Sequence, residues 1–198
     1  IGSFAALHEE GRLGLDRSVF TQETRAGVLE VERSLREGLP IFTMTQAKPV
    51  LREIPASREE VARLLRVDVS ELIDAPPMAS STGLWWFVVG VKRLKVLQAM
   101  APDLPAIRDF SEKHGLIGII PFCLETLSPE ASFHMRAFAP FVAIDEDPVC
   151  GTGNGSAGAY IGTHRLVDFG EEVDLVSEAG HEVQRPGRVF VSLKREGG

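Results

Sequence analysis

Cysteine is scarce in this chain: of its 198 residues only Cys123 and Cys150 carry thiols. Two cysteines cannot build a disulfide framework, so a reducing, cytoplasmic compartment is expected. No stretch approaches the ~20 apolar residues of a membrane-spanning helix, so no membrane partner is expected. Positive charge is short as well. Lys and Arg number 21 against 28 Asp and Glu, for a net charge of -7 and a pI near 5.3. That balance argues against a broad phosphate-binding surface, and so against nucleic acid as a partner. An initiating methionine is absent too. Ile1 runs straight into an amphipathic stretch (Phe4, Leu7 and Leu13 apolar; Glu9, Glu10 and Arg12 polar) with no cap, basic n-region or cleavage signature. The expectation is that an N-terminal piece belongs before it.

What the chain does have is an ordinary globular composition, 44% hydrophobic and 25% charged, enough apolar surface for a core. Its patterning is mixed. Helical spacing is read over 2–13, strand patterning over 19–24, 28–34 and 41–46, and a linker over 47–55, between the prolines at 49 and 55. Ser57-Arg-Glu-Glu60 reads as a capping box, with Val61, Leu64 and Leu65 following at helical spacing. Strands are expected at 84–91, 116–123, 132–137, 173–177, 181–185 and 189–194. Helices are expected at 92–100, 104–113 and from the glycine-rich segment 150–158 to about residue 167.

One repeat emerges at an offset of 153 positions (155 − 2 = 153). It pairs Gly2 with Gly155, Ser3 with Ser156, Ala6 with Ala159, Arg12 with Arg165, Leu13 with Leu166, Ala26 with Ala179 and Gly27 with Gly180. Both copies read as helix, turn, strand, Ala-Gly turn, strand. In the second copy a glycine-rich loop feeds the helix; in the first, the chain begins where that loop should end.

The chemistry concentrates in the segment from Asp145 to Gly158, Asp-Glu-Asp-Pro-Val-Cys-Gly-Thr-Gly-Asn-Gly-Ser-Ala-Gly. Asp147-Pro148 closes an extended stretch. Gly151, Gly153 and Gly155 let the backbone approach a ligand. A helix then starts, so the N–H groups of Gly151, Gly153 and Asn154 are expected to meet an anion: a carboxylate or a developing enolate. Thr152 is placed to cap the helix or to donate to the ligand. Cys150 sits near the positive end of the helix dipole, which favours a thiolate, while Asp145, Glu146 and Asp147 oppose one, so a modestly reactive thiol, more reactive than Cys123, is expected. Three other readings compete. Gly153-x-Gly155-x-x-Gly158 formally matches the dinucleotide fingerprint, with Asp174 downstream. Yet three carboxylates crowd the loop, no basic residue follows until Arg165, and the next strands read as a hairpin, so a nucleotide-dependent oxidoreductase ranks last. The loop could also be a turn that only packs its helix closely. Asp145–Asp147 as a metal site lacks a distant partner ligand, so no metal and no cofactor are expected.

Arg136-Ala-Phe138-Ala-Pro140 followed by Glu146-Asp147-Pro148-Val149-x-Gly151-x-Gly153 resembles the signature of the PhzF family, the phenazine-biosynthesis-like isomerases. Ile41–Gln46 before Pro49, Ser81-Thr82-Gly83-Leu84 before an apolar strand, and Ile1–Leu13 resemble the family too. The resemblance spans essentially the whole chain. It implies an α+β, diaminopimelate epimerase-like fold: two pseudo-repeat halves, each a curved sheet wrapped around a central helix. Residues 1–48 would be the remnant of the first half, joined in one arrangement by strand 187–198, and 49–186 the second half. It further implies a cofactor-independent isomerase or epimerase moving a proton on a small carboxylate substrate, in a cytoplasmic homodimer. A truncated, non-catalytic binding relative is the alternative.

The resemblance also assigns roles. Asp147 matches the family's active-site aspartate and Thr152 a small hydroxyl residue that contacts substrate. Gly151 and Gly153 match the carboxylate-binding loop. Two departures stand out. The family's principal glutamate lies ahead of the first helix, in a stretch this chain does not contain, so the chain alone is expected to be inactive. Cys150-Gly-Thr-Gly is also what the related diaminopimelate epimerases carry, where the cysteine is one of two proton-transferring bases. Catalytic candidates are therefore Asp147, Cys150 and Thr152, with Gly151, Gly153, Asn154 and Arg136 binding substrate. Arg136 shares a strand face with His134 and either meets a substrate carboxylate or forms a structural ion pair. Cys123 reads as a buried small hydrophobe, and His8, His114, His164 and His181 as surface or capping residues. Trp85 and Trp86 cannot both face the core from one strand, so one is expected in the core and the other along the inter-domain cleft or a dimer contact.

Overall fold

A computed structural model of the chain describes residues 2–14, 16–24, 27–36 and 38–195, in two units, Ile1–Lys48 and Pro49–Gly198. The first unit is a helix, α1 (Gly2–Glu9), and a three-stranded antiparallel sheet of β1 (Val19–Thr24), β2 (Gly27–Arg36) and β3 (Leu39–Met44), in that order. The Phe4 ring lies 5.8 Å from Phe20 and 6.2 Å from Phe42, and Val31 and Phe42 are buried. The helix stops at Glu9, short of the expected Leu13.

The second unit is built on one seven-stranded sheet in the order β10-β9-β8-β7-β6-β5-β4. Its strands are β4 (Val50–Glu53), β5 (Met78–Ser81), β6 (Trp85–Gly90), β7 (Gly118–Cys123), β8 (Phe133–Met135), β9 (Glu172–Ala179) and β10 (Gly187–Lys194). Four helices attach to it: α2 (Arg58–Leu65), α3 (Leu94–Gln98), α4 (Leu104–His114) and α5 (Gly151–Thr163). Ser57 caps α2 as its capping box requires, accepting the Glu60 N–H at 3.2 Å. Strand alternation then sorts two cores. On β6, Phe87 and Val89 face α2, α3 and α4, while Trp86 and Val88 face α5.

α5 explains the shape of this sheet. It touches β10 at one edge as well as β5, β6 and β7 toward the other, so the strands curve around it. Only small residues permit that. A Cβ on Gly158 would come within 2.8 Å of Val191, and one on Gly162 within 3.3 Å of Leu193. The helix is buried on nearly every side, which its lack of an apolar stripe already suggests.

Two strands lie where none was read. β4 occupies the expected linker, and β5 follows a Pro-Pro turn too short to show alternation. The expected strand over 181–185 is a turn. Gly180 has φ +77°, and a Cβ there would meet Arg185 O at 2.2 Å and Pro148 O at 2.7 Å. Val183 is the single apolar residue of 181–185, too little to bury a strand face.

The repeat holds through its first part. Shifting β1 by 153 positions lays it on residues 172–177 of β9. In each copy the next strand returns antiparallel, but Thr24 pairs with Gly27 whereas Ala179 pairs with Gly187. The longer second turn throws the later strands out of the constant offset. Ala26, half of the first Ala-Gly turn, lies outside the described residues. β10 pairs along its length with β9, in the sheet of the second unit.

Candidate functional site

Cys150, not Thr152, is the cap of α5: its φ and ψ are extended (−87°, 111°), and its Sγ accepts the Gly153 N–H at 3.3 Å. Gly153 is required at that place, because a Cβ would stand 2.8 Å from the Ile120 side chain and 3.1 Å from Sγ itself. The Cys150 carbonyl takes two bonds from Asn154, from the backbone N–H at 3.0 Å and from Nδ2 at 2.7 Å. The expectation that Gly153 and Asn154 offer N–H groups to a substrate is thereby corrected. Both are buried and spend their donors on Cys150. Gly151, exposed, and Thr152, half-buried, form the accessible start of the helix.

Asp147 is half-buried and held from two sides. Its N–H donates to Ala137 O at 2.8 Å, and its Oδ1 accepts the Val149 N–H at 3.1 Å. The Cys150 thiol is pushed up from its ordinary pKa, first by burial and then by the adjacent Asp147 carboxylate; the Gly153 N–H and the Thr152 hydroxyl pull it partly back. The balance expected between helix dipole and nearby carboxylates is thus tipped toward the thiol, chiefly by burial. A helix terminus contributes ~0.3–1 kcal/mol, less than burial plus a neighbouring anion. The thiol is therefore the protonated form at neutral pH, next to a carboxylate. Thr152 completes the group: its Oγ1 lies 3.7 Å from Sγ and accepts the indole N–H of Trp86 at 3.1 Å. Asp147, Cys150 and Thr152 are thus brought together.

Arg136 is not free to bind a substrate carboxylate. Its Nε and one terminal nitrogen grip both oxygens of Glu146, at 2.8 and 2.7 Å. The other terminal nitrogen donates to Leu97 O at 3.1 Å and Met100 O at 2.7 Å, and the guanidinium lies 4.8 Å from the Phe138 ring centre. Its role is to fix Glu146, and so the loop that delivers Asp147.

A second polar cluster escaped the sequence reading. His134 is fully buried, with Nδ1 2.9 Å from Glu178 Oε1 and Nε2 3.0 Å from Glu182 Oε1. Glu178 also accepts the N–H groups of Leu127 and Ser128. Burial alone would push His134 down, but the two carboxylates outweigh it and raise its pKa above the usual 6.5. The sequence leaves open which of Trp85 and Trp86 stands near the site. The clue available was that two adjacent strand tryptophans must face opposite ways: Trp86 faces α5, while Trp85 lies under the Arg52 guanidinium, 4.7 Å from its ring centre. Cys123 is buried, its thiol 3.0 Å from Glu125 O and pushed by burial to about 12.

The dinucleotide alternative meets a mixed result. β8 and β9 are parallel neighbours with α5 between them, so a βαβ unit exists where a hairpin alone was expected. But β8 ends at Met135 and α5 starts only at Gly151, so no tight turn leads from strand to glycine loop. Among the described residues no group of three or more His, Cys, Asp or Glu is placed to hold a metal. No helix of the described residues is long and apolar enough to cross a membrane.

Comparison with known proteins completes the picture. The family model described as phenazine biosynthesis-like protein matches residues 1–198. The uncharacterized isomerase YfhB of Bacillus subtilis is 30% identical over 200 residues, covering 100% of this chain and 67% of that protein. A crystal structure of a phenazine biosynthesis protein of the PhzF family from Bacillus anthracis is 33% identical. It superposes with a TM-score of 0.88 over 99% of this chain and 66% of that one. The structure of a predicted epimerase from Pseudomonas aeruginosa, 19% identical, gives a TM-score of 0.72 over 94% of this chain and 63% of that one. The fold is therefore the α+β, diaminopimelate epimerase-like one. The chain spans about two thirds of the length of these proteins.

Proposed function

The chain belongs to the phenazine biosynthesis-like (PhzF) family, and from that premise we propose that it serves an isomerase that shifts a proton on a small carboxylate-bearing metabolite, using acid and base side chains and no cofactor. The observation that carries the reading is the meeting of Asp147, Cys150 and Thr152 at the start of α5. A proton next to a carboxylate needs an acceptor within hydrogen-bond reach, and the charge that develops needs fixed donors. Asp147 is the acceptor: the substrate C–H bond breaks and its proton passes to a carboxylate oxygen. The Thr152 hydroxyl meets the developing negative charge. The Cys150 thiol, kept protonated by burial and by Asp147, donates its proton to the carbon that receives it. Transfer from Asp147 to the thiolate then restores both groups.

Asp147 and Cys150 interact with each other, which bears on the choice between isomerase and epimerase. A two-base epimerase needs its bases on opposite faces of the substrate. Two groups in mutual contact serve one face, which favours a proton shift along that face over inversion. Incubating the full-length protein with a panel of unsaturated and α-substituted carboxylic acids in D₂O tests the reading. Deuterium entering at a carbon near the carboxylate, with configuration retained, is expected for at least one compound. Binding without exchange across the panel would mean a ligand-binding relative, and inversion would mean an epimerase.

A further inference from the structure

Trp86 lies on β6, 66 residues from Thr152 in sequence, and is nearly fully buried, yet its indole N–H is aimed at the one hydroxyl beside Cys150. An indole N–H only donates, whereas a hydroxyl carries one proton and two acceptor positions. In this bond Thr152 Oγ1 must therefore be the acceptor. Its own proton points away from the indole, and Cys150 Sγ lies 3.7 Å from the same oxygen, where either atom can donate. With one of the two acceptor positions taken by the indole, the order indole to hydroxyl to sulfur is favoured. Without the indole both acceptor positions stand open to the thiol proton, and the bias toward donation is lost.

We propose that Trp86 is a positioning residue: by occupying one acceptor site of Thr152 Oγ1 it biases that hydroxyl toward donating its proton, to Cys150 in the free protein and to an acid group of the substrate when one binds. The substrate half of this inference rests on the function proposed above; the Cys150 half does not. Trp86 touches no reacting atom and acts only through Thr152. A donor hydroxyl favours the thiolate over the thiol, so losing the directed bond makes Cys150 hold its proton more tightly. A neutral hydrogen bond in a network is worth enough to change that proton affinity about three- to tenfold.

The test needs no substrate. Iodoacetamide alkylation of Cys150 is followed against pH by peptide mass, in wild type, Trp86→Phe, Thr152→Val, Thr152→Ser and the Trp86→Phe/Thr152→Val double variant. Access to the sulfur scales the rate at every pH, but only proton affinity moves the midpoint. The midpoint is expected to rise three- to tenfold in proton affinity for Trp86→Phe and for Thr152→Val. It should rise no further in the double variant and stay near wild type for Thr152→Ser. An unmoved midpoint in Trp86→Phe, or a full further shift in the double variant, would overturn the proposal. If Trp86→Phe does not fold, an unmoved midpoint in Thr152→Val overturns it alone. A panel without isotope exchange, alongside the expected midpoints, would remove the isomerase reading and leave this one standing.

Discussion

Replacing His134 with Phe removes the cation from the buried cluster at the β8–β9 junction while keeping a ring of similar size. In the native protein the imidazole sits between two carboxylates, 2.9 Å from Glu178 and 3.0 Å from Glu182, and the three side chains are 0%, 2% and 8% exposed. The groups around it are Cys123 on β7, Arg136 just after β8, Glu178 on β9, His181 and Glu182 in the following turn, and the Leu127 and Ser128 N–H groups. Phe leaves two buried carboxylates facing each other. Removing one member of such a pair costs ~3–5 kcal/mol. At ~2–4 °C per kcal/mol for a chain of this size, Tm should fall by about 6–20 °C near pH 6. The pH dependence follows from the direction of each shift. His134 is raised in the folded state, so its stabilisation is complete below about 6.5 and is lost as pH climbs through the raised value. Glu178 and Glu182 are lowered despite burial, through bonds that include the histidine, so their stabilisation holds above about 4.5 and is lost as pH falls through the lowered values. Wild type should be most stable between these limits, and its advantage over His134→Phe should shrink on the alkaline side. Calorimetry from pH 4 to 9 reads both. Parallel curves for the two proteins, or a Tm difference under about 3 °C at pH 6, would refute the reasoning.

Arg136→Met should cost a similar ~3–5 kcal/mol, because Glu146 and two buried carbonyls lose their partner; loss of activity together with faster proteolysis between residues 140 and 149 is the expected readout. Gly153→Ala should lower Tm, although alanine gains ~1 kcal/mol in a helix interior, since its Cβ would press on Ile120 and Cys150; thermal unfolding decides the sign. Tyr160→Phe removes a 2.9 Å bond to Pro76 O and should cost ~1–3 kcal/mol while leaving the Cys150 alkylation midpoint in place.

The helix start at residue 150 was legible because Asp-Pro followed by a glycine run leaves the backbone few options, and the repeat was legible because α1 and α5 precede strands at one spacing. What stayed hidden depends on partners distant in sequence. Arg136 reads as a substrate ligand or an ion pair until Glu146, Leu97 O and Met100 O are seen around it. His134 has no sequence pattern linking it to Glu178 and Glu182, which reach it from the next parallel strand and its turn. β4 and β5 were missed because four-residue strands carry too little alternation to separate them from a proline-flanked linker. At Cys150 the helix dipole and the opposing carboxylates are both visible in sequence, while the burial that decides the thiol's proton affinity is tertiary.

The most direct test of the proton-shift site is the rate of solvent deuterium exchange into a substrate found by the panel, compared between wild type, Asp147→Asn and Cys150→Ala. A positioned acid or base is typically worth ~10²–10⁴-fold. Asp147→Asn should lose that much, Cys150→Ala should lose at least the lower end of it, and substrate should still bind both. Exchange at the wild-type rate in both variants would place the chemistry elsewhere in the protein and contradict the account.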